Sequence, residues 1–406
     1  MKVLILSQVF YPDVVAVAQY LTDFAIDLQK SGIDVKVLAS RRGYDDRDLT
    51  YPLKERIEGI QVERIPSSYL GKRSYLARII DALTFNLILI WKLVFLPRYD
   101  VVVGMTTPPL IATIGSLFCL FKGGKFIYWV MDLNPDEAVA AGVLKKTSLI
   151  TRILEKISRF TFSKSDLIIA LDKYMALRIE KKGIPSQKIK ILPPWAHIDN
   201  LKYYPREHNL FHHRYQLQDK FVVMYSGNHS ICHPLDTLLE SALALQDEKE
   251  IVFMFIGGGE RVKDVTEFKE KYGLSNIVQL PYQAFSELGY SLSAADLHVV
   301  VMGNQYVGIV HPSKIYDMLW MGRPFIFIGP KESHIGDLIN KYKIGSQVQH
   351  GNVNEVVQQI LRIKALKKGE REQIQLTSQK IAEENFSRKI LSSQLTCWIR
   401  ETKESS

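Results

Sequence analysis

Short apolar runs alternate with helix-spaced apolar patterns along nearly the whole chain, and the series occurs twice. The first series holds the runs Val3–Ser7, Val35–Ala39, Val101–Gly104, Phe126–Val130, Leu167–Leu171 and Ile189–Leu192. Helical patterns from about Ala18 to Gly32 and from Ala82 to Leu96 lie between them. The second series holds Phe221–Ser226, Ile251–Ile256, Ile277–Leu280, Leu297–Val301 and Phe325–Ile328. Near-continuous apolar strands separated by helices are the signature of parallel sheets covered on both faces. A chain of 406 residues is also too long for one core. The expected fold class is therefore α/β, with two Rossmann-like, doubly wound domains facing a cleft. The expected division is 1–200, 201–380 and a C-terminal segment 381–406. Pro193–Asp219, polar and aromatic, reads as a linker. Ser387–Arg400 carries Ile390, Leu391, Leu395 and Trp398 at helical spacing and is expected to cross back onto the first domain.

Ligands of parallel sheets bind at the carboxyl ends of the strands, so the loops there matter most. The richest is Gly308-Ile-Val-His-Pro-Ser-Lys-Ile-Tyr-Asp-Met-Leu-Trp-Met-Gly-Arg-Pro324. It reads as a loop, a helix start with Ser313 at the N-cap, and a stop at Gly322 and Pro324. Free N–H groups at such a start form an anion site, to which Lys314 adds a charge and near which His311 lies. Asp317 follows three residues later on roughly the same side. The cation suits a phosphate and the carboxylate suits sugar hydroxyls. An ordinary capped helix with a Lys314–Asp317 surface pair is the alternative.

Strand Phe221–Ser226 runs into Gly227-Asn-His-Ser-Ile-Cys-His-Pro234, and a helix, Leu235–Leu245, follows. Gly227 permits a tight turn, and Asn228, His229 and His233 stand where phosphate donors belong. A polar loop with capping side chains is the plainer reading. No third metal ligand accompanies the two histidines in sequence. Gly257-Gly-Gly-Glu-Arg261, centred on Gly258, lets a backbone approach a ligand closely, and Tyr282 either borders a nucleobase or packs. In the first half, Phe10-Tyr-Pro-Asp13 opens a helix near Ala16. Tyr128-Trp-Val-Met-Asp-Leu-Asn-Pro-Asp136 places Asp132 at a strand end, either as an acceptor-side proton handler or as a turn carboxylate. Asp46-Arg-Asp48 has metal–diphosphate spacing but sits in a charged loop.

The net charge of +9 suits anionic partners without choosing among them. Three dispersed cysteines form no metal or disulfide framework and point to a reducing compartment. Lys2 and the short run after it do not make a signal peptide. No apolar run reaches the roughly 18 residues of a membrane span. Ala82–Leu96, broken by Asn86 and Lys92 and flanked by Lys72, Arg73, Arg78 and Arg98, is either a buried helix or a membrane-surface helix.

Together these loops resemble family 4 retaining glycosyltransferases of the GT-B fold, of the bacterial O-antigen, colanic-acid and exopolysaccharide type. The anchors are Tyr11-Pro-Asp13, Gln19-Tyr-Leu-Thr-Asp23, Trp129-Val-Met-Asp-Leu-Asn-Pro135, Tyr225-Ser-Gly-Asn228, Pro234-Leu-Asp-Thr-Leu-Leu239, Pro312-Ser-Lys-Ile-Tyr-Asp317 and Gly322-Arg-Pro324. The resemblance implies a metal-independent, cofactor-free enzyme that moves a sugar from a nucleotide-sugar, most simply UDP-linked. The acceptor would be a glycan or polyprenyl-linked glycan, and nucleic acid is not a partner. It implies Asp132 and Lys314 as catalytic residues. Donor binding falls to Gly227, Asn228, His229, His233, Gly258, Tyr282, His311, Ser313 and Asp317, with Ala16 and Asp132 on the acceptor side. The expected location is the cytoplasm, with the Ala82–Leu96 region as the candidate for peripheral contact with the membrane's inner face. The family's first acid position is Ile309 here, its diphosphate Arg and Lys fall at Asn228 and His233, its frequent His is Met131, and its Gly-Gly turn is Ala16-Val17. Two alternatives stand beside the transferase: a sugar-nucleotide 2-epimerase of the same fold, and a non-catalytic nucleotide-sugar-binding subunit.

Overall fold

The structure, a computed structural model, describes residues 1–44, 49–68, 75–197 and 201–404. Asp46, Asp48, Lys72 and Arg73 lie outside the described residues, as does the side chain of Arg78. The chain divides into two compact units, Met1–Pro193 with Lys389–Ser406, and Pro194–Arg388.

In the first unit the strands are β1 (Lys2–Leu6), β2 (Asp34–Ser40), β3 (Lys54–Ile57), β4 (Ile60–Ile65), β5 (Val101–Gly104), β6 (Lys125–Trp129), β7 (Leu167–Ala170) and β8 (Ile189–Ile191). Its helices are α1 (Ala16–Lys30), α2 (Tyr75–Phe95), α3 (Ile111–Lys122), α4 (Asp136–Ala140), α5 (Leu149–Lys164) and α6 (Lys173–Lys181). The sheet order is β3-β4-β2-β1-β5-β6-β7-β8. Every pairing is parallel except β3 with β4. Leu4, Leu6 and Val102 pack against Phe85, Leu89 and Phe126, so helices cover the sheet where the apolar runs predict burial.

The second unit holds β9 (Phe221–Ser226), β10 (Ile251–Ile256), β11 (Ile277–Leu280), β12 (Leu297–Val301), β13 (Phe325–Ile328) and β14 (Ser346–Val348). Its helices are α7 (Leu210–Arg214), α8 (Asp236–Ala244), α9 (Val262–Tyr272), α10 (Leu288–Ser293), α11 (Lys314–Met321), α12 (His334–Tyr342), α13 (Val353–Lys364) and α14 (Lys368–Phe386). The order β11-β10-β9-β12-β13-β14 is wholly parallel. Strand order reverses beside β1 in one sheet and beside β9 in the other. The loops after those two strands therefore open at topological switch points. The last helix, α15 (Arg388–Glu404), belongs mostly to the first unit, where Arg400 donates to the Ser31 carbonyl at 3.0 Å.

The sequence marks none of β3, β4 and β14 as a strand, and it places one helix start late. β3, Lys54-Glu-Arg-Ile57, alternates exposed and half-buried positions at a sheet edge and offers no apolar run. α2 begins at Tyr75 rather than Ala82, because the apolar run marks only its middle and end. The linker also contains a short helix, α7, capped by the Asn209 side chain.

Arg64 on β4 is fully buried. Its Nε and Nη2 donate to Glu55 at 2.9 and 2.8 Å, its Nη1 to the Ser40 carbonyl, and its Nη2 also to the Tyr11 carbonyl. One guanidinium thus ties β3 and β2 to the loop after β1. Asp13 in that loop accepts from Tyr44 N and from the Tyr51 hydroxyl. Removing one partner of a buried ion pair costs about 3–5 kcal/mol. Arg64→Met is expected to lower the melting temperature of the first unit by about 6–12 °C, read by calorimetry. An unchanged melting temperature would show that the loop is held without it.

Candidate functional site

β9 ends at Ser226 and the backbone turns at Gly227, where φ is +131°. A Cβ there would lie 2.8 Å from Nζ of Lys314. Gly257, at φ +141°, leaves no space at all, since a Cβ would lie 2.0 Å from the Gly227 carbonyl oxygen. Gly258 backs onto the Tyr282 ring, and a Cβ on Gly259 would meet Asn228 Oδ1 at 2.5 Å. His229 N donates to the Gly258 carbonyl at 2.7 Å and stitches the two loops together. The structure therefore brings Gly227, Asn228, His229, Gly258 and Tyr282 to one carboxyl-edge cluster. Lys314 joins them from the first residue of α11.

Lys314 is the unusual member. Its Nζ is enclosed and has no hydrogen-bond partner among the described residues. It sits 3.9 Å above the Tyr225 ring, a cation–π contact. Burial alone holds its amine down at about 7. Two imidazoles face it, and both are kept neutral. Burial first, then the charge of Lys314, depresses His229 to about 4 and His233 to about 3. His229 Nδ1 lies 3.0 Å from the Gly227 carbonyl and His233 Nδ1 lies 2.7 Å from the Val301 carbonyl. Each Nδ1 therefore carries the proton, and each Nε2 is the acceptor face.

Three sequence expectations need correction. Ser313 occupies the N-cap position of α11, but its backbone is already helical and its side chain makes no capping bond. Lys314 and Asp317 do not pair with each other. Asp317 accepts instead from His197, from the backbone N at 2.9 Å and from ring Nδ1 at 3.1 and 3.2 Å. His311 points into a stack rather than to the Gly227 cluster: its ring lies 3.7 Å from that of His334, and its Nε2 meets the Tyr316 hydroxyl at 2.8 Å. His197 carries no sequence signal, because 120 residues separate it from its partner.

In the first unit, Ala16 is the exposed first residue of α1, beyond the loop that Arg64 holds. Asp132 follows β6 and comes together with Glu137 of α4, a residue the sequence reading does not single out. Burial raises both carboxyls, and Glu137 raises Asp132 further. Neither side chain takes a hydrogen bond or ion pair among the described residues. The nearby cation is committed elsewhere: Lys182 Nζ binds Asp136 at 2.7 Å and Glu155 at 2.8 Å. The acid pair thus stays uncompensated at the edge where ligands of parallel sheets bind.

The chain and its fold have counterparts among known proteins. Residues 17–200 match the family model described as Glycosyltransferase Family 4. WbjE of Pseudomonas aeruginosa, named as a glycosyltransferase, is 26% identical over 61% of this chain, a segment that spans 62% of WbjE. WcaI of Escherichia coli (strain K12), named as a glycosyl transferase of colanic acid biosynthesis, is 20% identical over 84% of this chain and 86% of its own. HepE of Anabaena, crystallised with UDP and glucose, superposes with a TM-score of 0.74 at 16% identity over the full length of both chains. The match over the first unit and the two curated relatives agree in their likeness to glycosyltransferase family 4, and the shared architecture is the GT-B fold.

Proposed function

We propose that this protein is a retaining glycosyltransferase. It moves a sugar from a UDP-linked donor to a glycan or lipid-linked glycan acceptor in the assembly of a cell-envelope polysaccharide. The observation that carries the reading is the enclosed amine of Lys314. A buried cation without an anion is costly, so a site that keeps one is built for an anion. The amine sits beside the Gly227 turn at the start of α11, and the two neutral imidazoles add no competing charge. HepE holds UDP on the same fold, and the names of WbjE and WcaI point to the same chemistry.

In the reaction, the bond between the anomeric carbon and the β-phosphate oxygen breaks while the acceptor oxygen bonds to that carbon on the same face. The acceptor proton passes to the leaving phosphate oxygen, as the family resemblance implies. Lys314 neutralises the charge that develops on the diphosphate. Asp317 receives the ribose hydroxyls. Asp132, held partly protonated beside Glu137, orients the acceptor hydroxyl. The role of a metal is taken by Lys314.

Lys314→Ala is expected to fold and to lose about 2–4 kcal/mol of transition-state stabilisation, a rate loss of about 30- to 1000-fold in acceptor-dependent UDP release. The wild-type rate is expected to persist in EDTA. Undiminished turnover in the variant removes Lys314 from the mechanism, and a metal requirement removes its charge-neutralising role.

Donor binding is expected to depend on pH. An amine near 7 in the empty pocket is charged below that value and neutral above it, whereas a bound diphosphate favours the charged form. Affinity for UDP-glucose should therefore be full below about pH 7 and fall as pH rises, by up to about tenfold per unit. Titration calorimetry from pH 6 to 9 measures this directly. A flat profile would show that the amine is already charged in the empty site.

We further propose a peripheral membrane contact on the first unit. No helix of the described residues is long and apolar enough to cross a membrane. α2 turns Phe85, Leu89 and Leu93 inward, and Asn86 donates to the Pro109 carbonyl at 2.8 Å. Its outer face shows Leu87, Trp91 and Phe95 at 66%, 67% and 68% exposure, and neighbouring α3 shows Phe121 at 85%. Apolar side chains beside the exposed Arg98 and Lys122 suit an anionic lipid surface. Lys92, which interrupts the apolar run, is paired with Glu63, which Lys36 also binds. In flotation assays the protein should rise with anionic vesicles at low salt and less at high salt, and Trp91→Glu with Phe121→Glu should abolish it. Recovery in the soluble fraction under every condition would make the face an ordinary surface.

A further inference from the structure

Asp317 and Lys314 stand three residues apart on α11, close enough for an ordinary helix ion pair. They form none, and His197 accounts for the carboxylate's side of it. Its backbone N–H donates to Asp317 Oδ1 at 2.9 Å, and its ring Nδ1 spans both oxygens at 3.1 and 3.2 Å. A carboxylate only accepts, so Nδ1 carries the proton. The grip is itself fixed. His197 is 7% exposed, and its carbonyl accepts from Leu201 N at 2.9 Å. Trp195 beside it is fully buried, and Ala196 N donates to the Phe386 carbonyl at 2.8 Å. The Asp317 side chain stays 17% exposed, with lone pairs on Oδ2 left over for a ligand.

We infer that His197 is a positioning residue for the donor: it fixes the Asp317 carboxylate toward the ribose hydroxyls and holds it off Lys314, whose charge is thereby left for the diphosphate. This rests on the donor reading above. Without the His197 ring only the backbone N–H bond to Oδ1 would remain, and the carboxylate would be free to pivot about that oxygen. The enclosed amine one turn earlier would then be its best partner, and each group would cancel the other's use.

The test compares UDP with 2′,3′-dideoxy-UDP, which lacks the hydroxyls that Asp317 receives. The wild type should prefer UDP by about tenfold or more, the usual worth of hydrogen bonds to a charged group. His197→Ala should reduce that preference to below about threefold, and His197→Asn, whose amide N–H stands where Nδ1 stood, should restore most of it. If His197→Ala does not fold, His197→Gln, with its amide one carbon farther out, supplies the same comparison. A wild-type preference in a folded His197→Ala or His197→Gln overturns the inference and leaves the donor reading intact. A wild type that ignores the missing hydroxyls, or does not bind UDP, overturns the donor reading and this inference with it.

Discussion

The second unit is organised around one uncompensated charge. An ammonium group placed without a counter-ion in a low-dielectric pocket is unstable there, and its lowered proton affinity records that cost. Three features keep it in place. The Tyr225 ring offers its negative face at 3.9 Å. Gly227 leaves the volume that a side chain would fill. The loop after β9 is locked to the loop after β10 through His229 and the Gly258 carbonyl, so the pocket does not collapse onto the amine. Backbone that only glycine allows and an unpaired charge meet at the switch point of the sheet, where the topology leaves an opening.

The treatment of other charges makes this site stand out. Arg64 is fully buried, yet it meets Glu55 and two carbonyls. Glu63 is held at about 2: burial alone would raise it, but its bonds to Lys36 and Lys92 outweigh that effect. Lys182 is shared between Asp136 and Glu155. The chain can pair its buried charges and usually does. Among the described residues it leaves Lys314 in one unit, and Asp132 with Glu137 in the other, without an ion pair, and both lie at carboxyl edges of parallel sheets. A cation for the leaving phosphate and a raised carboxyl for the incoming hydroxyl are the two functions that glycosyl transfer needs from the protein.

Much of this was legible in the sequence because it is local. Val101–Gly104 and Phe325–Ile328 are strands by composition alone, and the structure places them where the runs lie. Lys314 and Gly227 were legible because a helix start and a strand-to-helix turn leave residue-level marks. The rest was hidden for identifiable reasons. β3 is charged and lies at an edge, so it has no apolar run to reveal it. His197 acts across 120 residues, and nothing in Trp195-Ala-His197 indicates a carboxylate partner. His311 sits in the right motif, but its ring is captured by His334 and Tyr316, a choice made by tertiary packing alone. Glu137 acquires its role only because α4 folds it back beside Asp132, while Lys182 spends its charge on Asp136.

The departures from the family pattern gain a physical meaning once these contacts are known. Ile309, at the family's first acid position, is a buried apolar residue at 3% exposure, so no carboxylate stands there to meet the donor. Asn228 and His233 replace the usual cations, and His233 is locked neutral by burial and by its bond to the Val301 carbonyl. With no cation at Asn228 or His233, the proposed reading rests on the one amine of Lys314. With fewer fixed charges, the state of that amine matters more, and so does every group able to cancel it. Asp317 is the nearest such group along α11. The hydrogen bonds from His197 are therefore more than local tidiness: they separate the one cation from the one carboxylate on α11 that could neutralise it. On the proposed reading, both are thus left for the donor.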